Sequence, residues 1–166
     1  MERRPSFLSD QSGAAAVEMV LVLPFLMALM FMCLEGAHYL YTEHQIVKGV
    51  RDGARFAARH GFSNFSCSAV NDAQLVTDIK NVTIYGKISV SSGDKPRVST
   101  WTVADTTVSM SCPATAVQTG IYKDLTNAPR VTVSATVSYP SLFGTLGALT
   151  SSFKVRASDQ AAVMGV

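Results

Sequence analysis

Hydrophobic and polar positions change rhythm three times along this chain. From Ala14 to Leu34 they do not alternate: AAAVEMVLVLPFLMALMFMCL is 21 residues with one charge, Glu18. A helix needs about 20 apolar residues to cross roughly 30 Å of hydrocarbon, so this run predicts a single membrane-spanning helix over 14–34. No other stretch approaches that length. Pro24 removes one backbone donor inside the run and predicts a local kink, which membrane helices tolerate. From Glu35 to His60 the rhythm becomes helical. Val47, Val50, Ala54 and Ala57 make an apolar stripe, with Lys48, Asp52, Arg55 and Arg59 on the other side. Lys48 and Asp52 have the spacing of an i,i+4 ion pair. Gly61 is expected to stop the helix, as a glycine just past a helix end does. One helix from Ala14 to His60 would be roughly 70 Å long.

Beyond Gly61 the period shortens. Ser68 predicts an N-cap for a helix running to about Lys80, with Ala69, Ala73, Val76 and Ile79 along one side. Val108, Met110 and Cys112 then alternate with polar residues. Val131, Val133, Ala135, Val137 and Tyr139 alternate without a break, and Phe153, Val155 and Ala157 repeat the pattern. Pro140 closes the best strand, and Gly144 and Gly147 mark its connection to the last one. Residues 91–96, SSGDKP, read as a loop. The fold class is therefore α+β. A long N-terminal helix, half in membrane and half amphipathic, packs on a small antiparallel β-sheet head with one further helix.

Composition sharpens this division. Charged residues are 16% of the 166 against 48% hydrophobic, below the roughly 25% charge of typical soluble domains. The mean hydropathy of +0.22 is concentrated in the one run rather than spread through the chain. Disorder is excluded by the apolar content, and a net charge of +2 gives no push toward nucleic acid. From Gly61 onward Ser and Thr supply 28 of 106 residues and glutamate is absent.

Three cleaved-signal readings of the apolar run fit poorly. It exceeds the 7–15 residues of a secretory signal, and no A-x-A site follows it. Arg3-Arg4 with Phe7-Leu8 has one residue too many for a twin-arginine signal. Phe31 and Met32 are too bulky to precede a lipoprotein cysteine at Cys33. A carboxylate near the bilayer centre costs about 2.5–3.5 kcal/mol and marks function by default. Glu18 is the fifth residue after Gly13.

The stretch Gly13-Ala14-Ala15-Ala16-Val17-Glu18-Met19 resembles the processing site of type IV pilin precursors. In that family a membrane-embedded aspartyl prepilin peptidase cuts after the glycine, leaving glutamate fifth in the mature chain. The longer string from Ser12 to Gly61 resembles the TadE-like pseudopilins of tight-adherence (Flp-type) pili. The matching features are Ala14 to Ala16 before the glutamate, the leucine-rich run with Pro24, the aromatic/polar segment with Tyr39 and Tyr41, and Gly53-Ala54-Arg55-Phe56-Ala57-Ala58. An aromatic often follows the glutamate in the family; here Met19 stands there.

The resemblance implies a cytoplasmic leader over 1–13, cleaved between Gly13 and Ala14. It also implies a span over 14–34, an amphipathic stalk helix over 35–60 and a periplasmic or extracellular head over 61–166. It implies a minor pilin or pseudopilin in the inner membrane with its N-terminus inside. Lipid, the prepilin peptidase, the platform proteins, the major Flp-type pilin and a second pseudopilin would be its partners. Charge alone does not orient it, since Arg3 and Arg4 are balanced by Lys48 and Arg51. Cleavage would place a new ammonium at Ala14 one helical turn from Glu18. That amine, its own or a neighbouring subunit's, could pair with the carboxylate and set helix register. The alternative is a single-pass anchored periplasmic binding module that enters no filament.

Cys33 reads as a packing residue. Cys67 and Cys112 both lie in the head, where export permits a disulfide; free buried thiols are the alternative. Closing a loop of that length would contribute roughly 4 kcal/mol. No cofactor or metal is expected. Glu35-x-x-His38 is one copy of a motif that di-iron bundles use twice, and His38 and His44 cannot face one ion from one helix. His38, Tyr39 and Tyr41 suit the headgroup boundary. No nucleophile or phosphate-loop motif is present, the head has no histidine and its six aspartates are dispersed, so no enzymatic activity is expected.

Overall fold

The computed structural model describes residues 13–113, 120–123, 125, 127–144 and 153–165. Residues 1–12, with Arg3 and Arg4, and Gly147 lie outside them. The first element, α1, is one helix of 45 residues, Ala14–Ala58, unbroken through Pro24. Its last turn tightens. Arg59 N–H donates to Phe56 O (3.3 Å) and His60 N–H to Ala57 O (3.1 Å), the i→i−3 bonding common at helix ends. The His60 ring closes the end further, with Nδ1 3.0 Å from Phe56 O. Gly61 then sits at φ −62°, ψ 149°. That is ordinary extended backbone, so Gly61 does not act as the left-handed cap that its position suggests.

The second helix, α2, spans Ala73–Tyr85, starting four residues and ending about five residues later than the sequence pattern suggests. Asp72, not Ser68, is its N-cap, with the carboxylate accepting from Gln74 N–H at 2.8 Å. Ser68 lies in a tight reversal instead. The Ser66 hydroxyl donates to Ala69 O (2.8 Å) and accepts from Ala69 N–H (3.1 Å), while Phe65 bridges Val70. Local side-chain bonding of this kind offers the backbone an alternative to helix. Gly86 ends α2 in the left-handed conformation, φ 77°, its N–H on Val82 O, the usual role of a glycine at this position.

Among the described residues three strands follow: β1 Thr106–Ser111, β2 Arg130–Ser138 and β3 Lys154–Ala162. They form one antiparallel sheet in the order β1-β2-β3. Val108 pairs with Val133, Ala135 with Ala157 and Val137 with Val155. The even-numbered residues of β2 and their partners make a hydroxyl-rich outer face. Val131, Val133, Ala135 and Val137 are buried, as the period-2 pattern requires. The register sets Asp159 opposite Val133, on the core side of an edge strand. Inward charges on edges discourage pairing with another chain.

The chain divides into two units, Met1–Ala37 and His38–Val166. In the second, Ile46, Val50, Ala54 and Ala57 of α1 and Leu75, Ile79 and Ile84 of α2 share one core with the sheet, Val98 and Trp101. Ile46 rather than Val47 heads the α1 stripe, Val47 being half-buried. Trp101 donates its ring N–H to the buried Thr106 hydroxyl at 2.9 Å. The end of the chain ties back to α1, with Met164 N–H on Ala58 O at 2.8 Å.

Candidate functional site

Gly13 is exposed and immediately precedes α1. A Cβ added there would meet nothing within 4 Å, so packing does not demand a glycine at this position. Ala14 opens the helix. Glu18 lies one turn further on, about 6 Å along the axis, and is exposed. Ala15, Met19, Val22, Leu23 and Leu26 line one shallow groove with it. Their side chains and those of the run around them face outward, Val20 69% and Phe25 77% exposed. Among the described residues one helix is long and apolar enough to cross a membrane, and this is its most apolar stretch. Among the described residues no salt bridge reaches Glu18. Pro24 lies inside the helix on the same run, and Cys33 is an exposed free thiol.

The head is held by contacts far apart in sequence. Cys67 and Cys112 are joined in a disulfide, Cα atoms 5.2 Å apart. It ties the reversal before α2 to the end of β1. Gly49 and Gly53 on α1 admit α2 at close range. A Cβ on Gly49 would run into Thr83 O and the Trp101 ring, and one on Gly53 into the Thr83 side chain. Two glycines one turn apart let helix backbones approach. Thr83 turns its hydroxyl back to Ile79 O at 2.7 Å, which leaves no unpaired donor in the contact.

Asp52 does not pair with Lys48. Its Oδ2 accepts from Arg97 Nη2 at 2.8 Å, across 45 residues, because Arg97 is brought over α1 by the chain leaving α2. Arg97 N–H also donates to Ile84 O at 2.9 Å. In the next loop, Lys87 Nζ donates to Asp94 Oδ1 at 2.6 Å and Ser91 N–H to its Oδ2 at 2.8 Å. These bonds, Lys87 first, hold Asp94 below the usual carboxylate range. His38 Nδ1 lies 3.0 Å from Tyr139 Oη, and the Tyr39 ring meets Tyr139 edge-on at 5.3 Å. Among the described residues no three His, Cys, Asp or Glu side chains converge as metal ligands.

The sequence reading missed Gly49–Gly53, Arg97 and Tyr139 as partners of α1. For the glycines a signal existed: each costs about 1 kcal/mol against alanine in a helix interior, so a pair at i,i+4 calls for a packing reason. Tyr139 belongs to the buried face of β2 that alternation marks, but alternation does not say which residue of α1 it meets; Arg97 lies in no period at all.

No curated protein and no solved structure is significantly similar to this chain. The family comparison covers the glycine, the run, Glu18 and most of the remaining length of α1. Over residues 13–55 the chain is similar to the family model described as TadE-like protein.

Proposed function

We propose that this chain is the precursor of a minor pilin or pseudopilin of a tight-adherence pilus. A prepilin peptidase cuts between Gly13 and Ala14, and the mature subunit waits in the inner membrane with its head outside. The observation that supports this most is the placement of Glu18. It is the single carboxylate on an uncharged, outward-facing helical run, one turn from a helix start preceded by a glycine that packing does not require. A protein that only needs an anchor gains nothing from that charge. An assembling subunit gains a partner for the ammonium created by cleavage. A head of this size separates the chain from a major pilin that is little more than helix. The platform, the major pilin and a second pseudopilin are the partners this reading implies.

The test is the N-terminus of the protein isolated from its host. Mass spectrometry should find a chain beginning at Ala14, and Gly13→Ala should block or strongly reduce processing. An intact Met1, or a cut near residue 37, would overturn the reading and leave an anchored binding module.

A further inference from the structure

Where α1 passes the end of α2 within the head unit, the surface holds a cleft of about 320 Å³. Arg55, Arg59 and Arg97 line it together with one carboxylate, Asp52. Arg97 is held in place from three sides. Its N–H donates to Ile84 O at 2.9 Å, and its Nη2 donates to Asp52 Oδ2 at 2.8 Å. Gly86 leaves room for it, since a Cβ there would lie 2.9 Å from Arg97 Nη2. The Arg97 side chain is 15% exposed, and its Nε is buried with no hydrogen-bond partner among the described residues. A buried donor left unpaired carries a desolvation cost. Arg55 and Arg59 are exposed, and among the described residues no salt bridge reaches either. They stand at i,i+4 on α1, where like charges repel. The fold thus gathers three cations at one place and neutralises one of them.

We propose that this cleft is a binding site for a phosphate dianion. Three arginines against Asp52 leave two positive charges in the cleft. A phosphate monoester carries about −1.5 to −2 at pH 7 and matches that charge, whereas one carboxylate leaves half of it uncompensated. Guanidinium groups take phosphate oxygens through paired N–H donors. Arg97 is fixed by Asp52 and Ile84, so little side-chain freedom is lost when an anion arrives. Phe56 and Val82, both half-buried, form the apolar part of the wall. They suit the organic body of an ester, as apolar linings with a few placed polar groups do in ligand sites. The site is separate from processing and from filament assembly, and an anchored binding module would carry it equally.

Isothermal titration calorimetry of the full chain in nonionic detergent and phosphate-free buffer tests it, with phenyl phosphate, inorganic phosphate and benzoate as probes. Phenyl phosphate should bind saturably. Arg55→Gln and Arg59→Gln should each weaken it about tenfold, the loss of one charge-assisted hydrogen bond. Both side chains are exposed, so neither change removes core packing. Arg51→Gln is the control for net charge. It alters an exposed arginine of the same helix that does not line the cleft, and should bind as the wild type does. Inorganic phosphate binding as tightly as phenyl phosphate would support the dianion site with free phosphate as its ligand; weaker binding would support it with an ester. Benzoate binding as tightly as phenyl phosphate overturns the dianion. Absence of saturation, wild-type affinity in either cleft variant, or an equal loss in Arg51→Gln overturns the site.

Discussion

A methyl group on Gly53 would land on the side chain of Thr83, which is itself fully buried and bonded to Ile79 O. There is no flexible tip to move aside. Overpacking of this kind costs about 1–3 kcal/mol, while alanine for glycine in a helix returns about 1 kcal/mol. We expect Gly53→Ala to lower stability, read as an earlier midpoint in urea unfolding of the full chain in detergent. Gly36→Ala is the matched control. It lies in the same helix with nothing within 4 Å of its Cβ, and should be neutral or slightly stabilising. Equal midpoints for the two variants would show that the α1–α2 approach is looser than described. The residues on either side of this contact differ in how readable they were. A glycine pair inside a helix is visible in a sequence as a propensity penalty without local purpose. Thr83 is not, because its role depends on which helix lies across from it.

Among the elements, β2 was legible because one physical rule decides it. Its alternation and its burial coincide at Val131, Val133, Ala135 and Val137. The edge strand β1 was less marked, with only Thr106 fully buried. α2 was misplaced because a serine before an apolar stretch signals a cap only if its hydroxyl is free to bond the second or third helical N–H. Here Ser66 already holds Ala69, and the first carboxylate after that reversal, Asp72, takes over. The disulfide joins the two least regular of these elements. Cys67 is in the reversal and Cys112 follows β1, so the bond closes a loop that contains α2 entirely. Removing it with Cys67→Ser and Cys112→Ser together should cost up to about 4 kcal/mol by chain entropy, with native strain and residual structure reducing that figure. Urea unfolding with and without reductant checks it: the wild-type midpoint should fall to that of the double variant on reduction. An unchanged midpoint would mean that α2 and β1 are held by the core alone.

At the scale of the whole molecule the chain is two units with opposite surfaces. One, over its described residues 15–37, presents nearly all its apolar side chains outward; the other, from His38, buries a core built from two helices and a sheet. The core of the second includes no residue of the first. That separation makes Glu18→Ala an informative change. It removes a carboxylate whose cost against insertion, about 2.5–3.5 kcal/mol at a bilayer centre and less one turn from the edge, opposes anchoring, so the membrane fraction should hold at least as much protein as before. The head core contains no part of residue 18, so urea unfolding of the head should be unaffected. The processing site at Gly13 is untouched, and the mature N-terminus should still be found at Ala14. Only pilus assembly should fail, because the ammonium of Ala14 would have no carboxylate to meet. Counting pili by electron microscopy in cells carrying only the variant completes the measurement. Wild-type pili would refute the pairing argument even with processing intact. Loss of the protein from the membrane fraction would instead assign Glu18 to insertion.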